Sequence, residues 1–567
     1  MNKDEEYLVR KQIENIILQN TKESLDKLFI ICENNFKNMI AYPITVLENQ
    51  FKMMRDASVE MGFDAMELLI TVNPLREAIY WFIHEMLKRQ KQIQFEECQF
   101  DYDEDGFGES CCDTIQKLYQ GYKNGKHIGI QRSVAKVKLH EIQKNTFEFH
   151  FPEISEEYNK ELLYYYGLDD ALQNEKECSK VAKVDLYLHE KFDPEKLVKY
   201  PERILEYIYR TDLMVKNIDA KLFRICKNRV SIDVNKIAEQ VESSIISDKN
   251  ELVRLIAFFY YISRISMLNF MLSSLVPPFI KNKNVNYCVY TKEHLIKSAA
   301  QIGINEETLS RYIDYWSMDI NVEKGGFCEF PLLVFDNKVL WIPSSFMLND
   351  FQFSIVNGHY HKNINFPKHE ETIAQSIVDY IINSVDKYEN IIFGNNHQYS
   401  VPNKKFMGKN LQSDIDVALY DKAHNCLLII ECKWKENVYA FTDDYVKIER
   451  AVNEVYRTQL NKHKYYLELD KINYDKIFEY RTNIAENVET LKVMYLFIDK
   501  RIQFHDTENK RHVISTFMFS YLLKEYEENN QLDLTKVIKK IQDQKTNINY
   551  KRCPLEKSVK MDGKTYI

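Results

Sequence analysis

From residue 1 to about 95, apolar side chains recur three and four positions apart, as in Leu8, Ile13, Ile16 and Ile17 and again in Ile79, Phe82 and Met86. Such spacing gathers them on one face of a helix, so residues 1–98 are expected to be helical. The stretch QFDYDEDGFGESCCD (99–113) replaces that pattern with acids and glycines and reads as a loop. Helical spacing resumes in a second region, 114–285, where Pro277 and Pro278 stop the last helix. Within 286–350, TKEHLIKSAAQIGINEETLSRYIDYWS reads as two helices joined at Gly303, and FPLLVFDNKVLWIPSSF as a short hairpin around Asp336 and Asn337.

The pattern changes between about 355 and 530. A helical run, HEETIAQSIVDYI, precedes strand-like NIIFG, SDIDVALYD and CLLIIECKW, a helix over about 443–467 and the apolar strand VMYLFID. That order predicts a central mixed sheet flanked by helices. The expected fold class is therefore α+β multidomain, a large all-helical N-terminal region followed by an α/β core. Residues 531–567 read as a basic C-terminal tail, with nine Lys and Arg against three Asp and Glu from Lys536 onward.

Length and composition narrow the picture. A chain of 567 residues suggests roughly three or four domains. A net charge of -8 excludes a uniformly basic nucleic-acid coat, so a polyanion would need a local patch. Eleven cysteines without a CxxC pair argue against a zinc ribbon or disulfide framework and fit a reducing cytoplasm. The charged start, MNKDEEYLVRKQIENIIL, lacks the apolar core of a secretory leader. The most apolar run, LIAFFYYISRISMLNFMLSSLVPPFI (255–280), contains Arg264 and Asn269, which favours a buried helix over a membrane span.

The candidate chemistry lies in LLIIECKW (427–434), where four apolar residues lead into Glu431, Cys432 and Lys433. Alternation in a strand puts Glu431 and Lys433 on one side and Cys432 on the other. Upstream, Ile415, Val417 and Leu419 alternate with Asp416, Ala418 and Tyr420, and DKAHN supplies a turn between the two strands. Asp416 and Glu431 can then converge; Asp414 is a second choice of acid, and alternation favours Asp416. Hard Mg²⁺ or Mn²⁺ prefers carboxylate oxygens, so Asp416, Glu431 and the Cys432 backbone carbonyl form a ligand set beside a phosphate. Lys433 would position a water there and offset transition-state charge.

These residues resemble the PD-(D/E)XK nuclease superfamily, with Asp416 in the sheet hairpin and Glu431-Cys432-Lys433 ending an apolar strand. The likeness covers about 366–500. It implies a restriction-endonuclease-like core, here expected over 355–530, and metal-dependent hydrolysis of phosphodiester bonds, in DNA more than RNA. It also implies a further acid from the preceding helix, Glu370 or Glu371, with Glu370 favoured, and a Gln from the following helix, Gln459. The implied setting is bacterial defence against phage or foreign DNA. There the helical half would sense, oligomerise or bind a partner defence subunit. The chain departs from the family in having Ser-Asp-Ile-Asp where a proline usually precedes the first acid, which is why both Asp414 and Asp416 stay open.

Other signals are weaker. The 291–317 segment has the outline of a helix-turn-helix that would extend Arg311 toward DNA, but Glu306 and Glu307 would repel phosphates and favour a plain helix pair. DYDEDGFGESCC starts like a calcium loop, yet its twelfth position is Cys112 instead of Glu. No GxxxxGK[ST] loop occurs, which argues against an ATP-driven motor. The competing reading of the core is a non-catalytic nucleic-acid-binding or scaffold protein; retention of Asp416, Glu431 and Lys433 counts against it.

Overall fold

The computed structural model describes most of residues 138–154, 203–238, 249–273 and 287–567, with isolated positions elsewhere. Inside the region expected to be helical, a hairpin forms from β1 (Lys138–Gln143) and β2 (Thr146–Ile154). Asn145 turns it at φ 62°, a left-handed conformation that Asn tolerates better than most residues. The helical expectation fails here because the strands that complete this sheet come from the far end of the chain, where no local pattern reveals them.

Helices α1 (Arg203–Lys216), α2 (Ala220–Ala238) and α3 (Lys249–Ser273) follow. Every residue from Leu255 to Ile262 is buried, which places α3 in the core rather than at a surface. The Asn269 amide donates to Thr211 Oγ1 (2.7 Å) and Asp212 Oδ1 (3.0 Å) on α1, so its polarity is satisfied within the protein. Among the described residues no helix is long and apolar enough to cross a membrane.

Next, β3 (Cys288–Thr291), α4 (Lys292–Ala300) and α5 (Glu306–Trp316) precede the hairpin of β4 (Leu332–Phe335) and β5 (Lys338–Trp341), which β3 extends in the order β3-β5-β4. Thr291 and Asn305 cap the two helices by accepting the His294 and Thr308 N–H groups. Arg311 is held by Glu251 at 2.6 Å, and α5 turns Leu309, Tyr312 and Trp316 into the core. The two helices are a packed corner, as Glu306 and Glu307 suggested.

The larger sheet begins after α6 (His369–Val385). Strands β6 (Ile391–Pro402), β7 (Asn410–Asp421) and β8 (Cys426–Lys433) form an antiparallel meander. Helix α7 (Tyr445–Val455), a π-helical turn (Tyr456–Leu460) and α8 (Asn461–Leu469) then lead toward β9 (Lys492–Asp499), which pairs parallel with β8. With β10 (Phe504–Asp506) and β11 (Arg511–Ser515) the order is β10-β11-β9-β8-β7-β6. Leu427 to Ile430 of the central β8 are fully buried, each side chain contributing about 1.5–3 kcal/mol.

Helices cover both faces of this sheet. Val417, Leu419, Leu428, Ile430 and Cys432 share a cluster with Ile377, Val378 and Ile381 of α6 and with Met518 and Leu522 of α9 (Thr516–Glu525). Ala418, Tyr420, Leu427 and Ile429 face the other way, toward Tyr466 and Leu467 of α8. The fold is mixed α/β, with several mixed or antiparallel sheets.

The basic C-terminal segment is not a solvated tail. After the small hairpin of β12 (Glu527–Glu528) and β13 (Gln531–Leu532), helix α10 (Leu534–Asp543) buries Leu534, Val537 and Ile541. Strands β14 (Ile548–Cys553), β15 (Val559–Met561) and β16 (Lys564–Tyr566) then join β2 and β1 in a five-stranded sheet. Ile548 packs beside the cluster of Ile448 and Val452, which ties this sheet to α7.

Candidate active site

The β7–β8 ladder runs from Asp421↔Cys426 to Val417↔Ile430 and stops, while β8 stays paired with β9 as far as Lys433↔Asp499. The sheet therefore forks at Asp416 and Glu431. Ile415 and Ala418 both pack on the α8 side and Val417 on the α6 side, so strand alternation breaks between them. Opposite this step Asn396 adopts φ 50°. The fork would leave the Cys432 N–H without a ladder partner, and Asp416 Oδ2 accepts it at 2.6 Å. A side chain thus replaces a missing backbone acceptor and is fixed by doing so.

Alternation along β8 holds as expected from the sequence. Cys432 is buried on the α6 face, while Lys433 Nζ reaches back to Glu431 Oε1 at 2.9 Å. The second oxygen of Glu431 accepts from His463 Nε2, also at 2.9 Å. Asp416 and Glu431 are 8% and 3% exposed, so two carboxylates lie side by side nearly out of water.

Burial and the neighbouring Glu431 push the Asp416 carboxyl up to about 8, against the opposing pull of Lys433 and the Cys432 N–H. Burial also works against ionised Glu431, but the His463 hydrogen bond and the Lys433 charge outweigh it and hold that carboxyl below its usual value. A divalent cation fits this donor set. Among the described residues no donor hydrogen-bonds the second Asp416 oxygen, and a cation would offset the burial and the Glu431 charge that push this carboxyl up.

The remaining predicted residues divide. Gln459 sits in the π-helical turn and its Oε1 meets Ser413 Oγ (3.4 Å) and Lys462 Nζ (3.3 Å), which brings it to the strand that carries Asp416. Asp414 is exposed, in contrast to Asp416. Glu370 and Glu371 fall in the first turn of α6, but their side chains lie outside the described residues, as does the acidic loop at 99–113. His463 was missed from the sequence. Its signal was faint: four positions after Gln459, it lies one helical turn further along the same side of the α7–α8 segment.

A second group of candidate ligands, Asp421, His424 and Asp533, lies at the closed end of the β7–β8 hairpin. Its acids already serve the fold. Asp421 Oδ1 accepts from Asn390 Nδ2 (2.7 Å) and the Ala423 N–H (3.0 Å), and Oδ2 meets the His424 ring (2.7 Å) and the Leu534 N–H (3.2 Å). Asp533 caps α10 through the Lys536 N–H. These contacts close the turn and anchor α10.

Comparison with protein-family models, with curated proteins and with solved structures finds no significant match in any of the three.

Proposed function

We propose that this chain is a metal-dependent nuclease with a PD-(D/E)XK-type, restriction-endonuclease-like core, hydrolysing phosphodiester bonds in DNA. The observation that carries the reading is the fork, where a buried aspartate, a buried glutamate and a lysine meet at the point where β7 and β8 part. The order of helix, three antiparallel strands, helices and a parallel strand supports it as well. Asp416 and Glu431, with the Cys432 carbonyl, would hold Mg²⁺ or Mn²⁺. When bound, the ion supplies Lewis acidity and lowers the pKa of a coordinated water. Lys433, anchored on Glu431, orients the attacking water and offsets charge developing on the phosphate. Gln459 steadies the β7 segment through Ser413.

The outer face of the five-stranded sheet supports a polyanionic substrate. Strand register places Lys138, His150 and Arg552 side by side, with Glu148 of the same face holding Arg552 (2.9 Å) and meeting His150 (3.5 Å), and Lys560 beside Thr565 in the same row as Thr146, whereas Phe149 and Tyr566 stack on the inner face. The test is cleavage of supercoiled plasmid and phage DNA with Mg²⁺ or Mn²⁺. Wild type should cut, Asp416→Ala should be inert, and Lys433→Ala should lose about 10²–10³-fold in rate while remaining folded. Equal inactivity of folded wild type and both variants on DNA and RNA substrates would favour the non-catalytic reading.

A further inference from the structure

Behind Glu431 runs a chain of buried polar side chains that the chemistry above does not use. His463 is fully buried on α8, with Nε2 at 2.9 Å from Glu431 Oε2 and Nδ1 at 2.7 Å from the Tyr399 hydroxyl on β6. Tyr399 stacks on Tyr466 with ring centroids 4.2 Å apart, and the Tyr466 hydroxyl meets His397 Nε2 at 2.9 Å. A carboxylate only accepts, so His463 donates from Nε2; its Nδ1 is then the acceptor for the Tyr399 O–H. The tyrosine selects the tautomer that lets the histidine point a proton at Glu431.

We propose that His463 and Tyr399 are positioning residues that lock the Glu431 carboxylate in the orientation a divalent cation requires, an inference that rests on the metal-site reading above. Three features carry it. Lys433 holds one oxygen of Glu431 from the end of a flexible stem, a soft restraint on the broad terminal torsion of the carboxylate. His463 fixes the second oxygen from a different element. The β7–β8 ladder has already ended at this level, so the backbone of β7 no longer holds this end of β8. Without the imidazole, Glu431 would lose the contact that sets its direction.

The test is Mn²⁺ binding to the full-length protein, measured calorimetrically at 10 °C without nucleic acid, beside thermal unfolding of the same samples. Removing a hydrogen-bonded support of a metal ligand typically weakens binding about 10–100-fold, which is the loss expected for His463→Leu. His463→Gln presents an N–H near the position of Nε2 and should stay within about threefold of wild type. Tyr399→Phe leaves the imidazole in place but removes its tautomer selector, and a loss between those two is expected. If His463→Leu and Tyr399→Phe lower the unfolding temperature yet bind Mn²⁺ like wild type, while Asp416→Ala does not bind, the pair is merely structural and the inference is overturned alone. Failure of wild type to bind Mn²⁺ overturns it together with the metal-site reading.

Discussion

Neutralising Asp416 should stabilise the metal-free protein at alkaline pH while abolishing the proposed activity. The Asp416 carboxyl is 8% exposed and faces Glu431; burial first, then that neighbour, push it from an ordinary 3.8 up to about 8. One pKa unit corresponds to about 1.4 kcal/mol, so ionised Asp416 costs the native state on the order of 6 kcal/mol. Between about pH 4 and pH 8 the native state keeps a proton that the unfolded chain has released. Stability therefore falls as pH rises through that window and is lowest above pH 8. Asp416→Asn removes the charge and keeps an oxygen to accept the Cys432 N–H. In EDTA the variant should match wild type near pH 4 and exceed it at pH 9 by up to about 6 kcal/mol, read from urea unfolding at both pH values. Saturating Mg²⁺ should restore wild type but not the variant, because binding to the native state alone adds stability. A difference between variant and wild type that does not change with pH would refute the electrostatic account of the fork.

Three further outcomes follow from the geometry. Gly394→Ala on β6 would drive a Cβ into the Ile477 carbonyl oxygen, so a loss of about 2–3 kcal/mol is expected in urea unfolding; an unchanged midpoint would contradict the close approach. Replacing Lys138 and Lys560 together by Ala should weaken DNA binding by a cleavage-dead variant and reduce the slope of log affinity against log salt by about two, whereas an unaltered slope would remove the outer sheet face from the interface. His424→Ala should lower stability by about 1 kcal/mol through its contact to Asp421 and leave Mn²⁺ affinity unchanged; a large loss of affinity would move the metal to the hairpin cluster.

Much of the core was legible because its signals are local. Four consecutive apolar residues before Glu431 mark a strand covered on both faces, and strand alternation is enough to separate Cys432 from its neighbours; Asp414 and Asp416, two positions apart, are told apart only by their burial. Features that depend on distant partners were not. β1 and β2 complete their sheet with residues about four hundred positions away, so a stretch inside a helical region gave no sign of its role. The fork itself is a property of where a ladder stops, and its consequence, a side-chain acceptor for the Cys432 N–H, has no sequence signature. His463 belongs to the same class: a lone histidine in NKHKYY acquires meaning only when the sheet brings Glu431 and Tyr399 to its two nitrogens. Arg311 shows the converse, a cation that looks available in the sequence and is held by Glu251 from another helix.

The most direct test of the account is anomalous diffraction from crystals of the full-length protein grown with Mn²⁺. A peak at the fork, with carboxylate oxygens of Asp416 and Glu431 about 2.0–2.3 Å away, is the predicted result. A peak confined to Asp421, His424 and Asp533, or none at the fork with Mn²⁺ saturating, would contradict the claim that this site is built around a divalent cation.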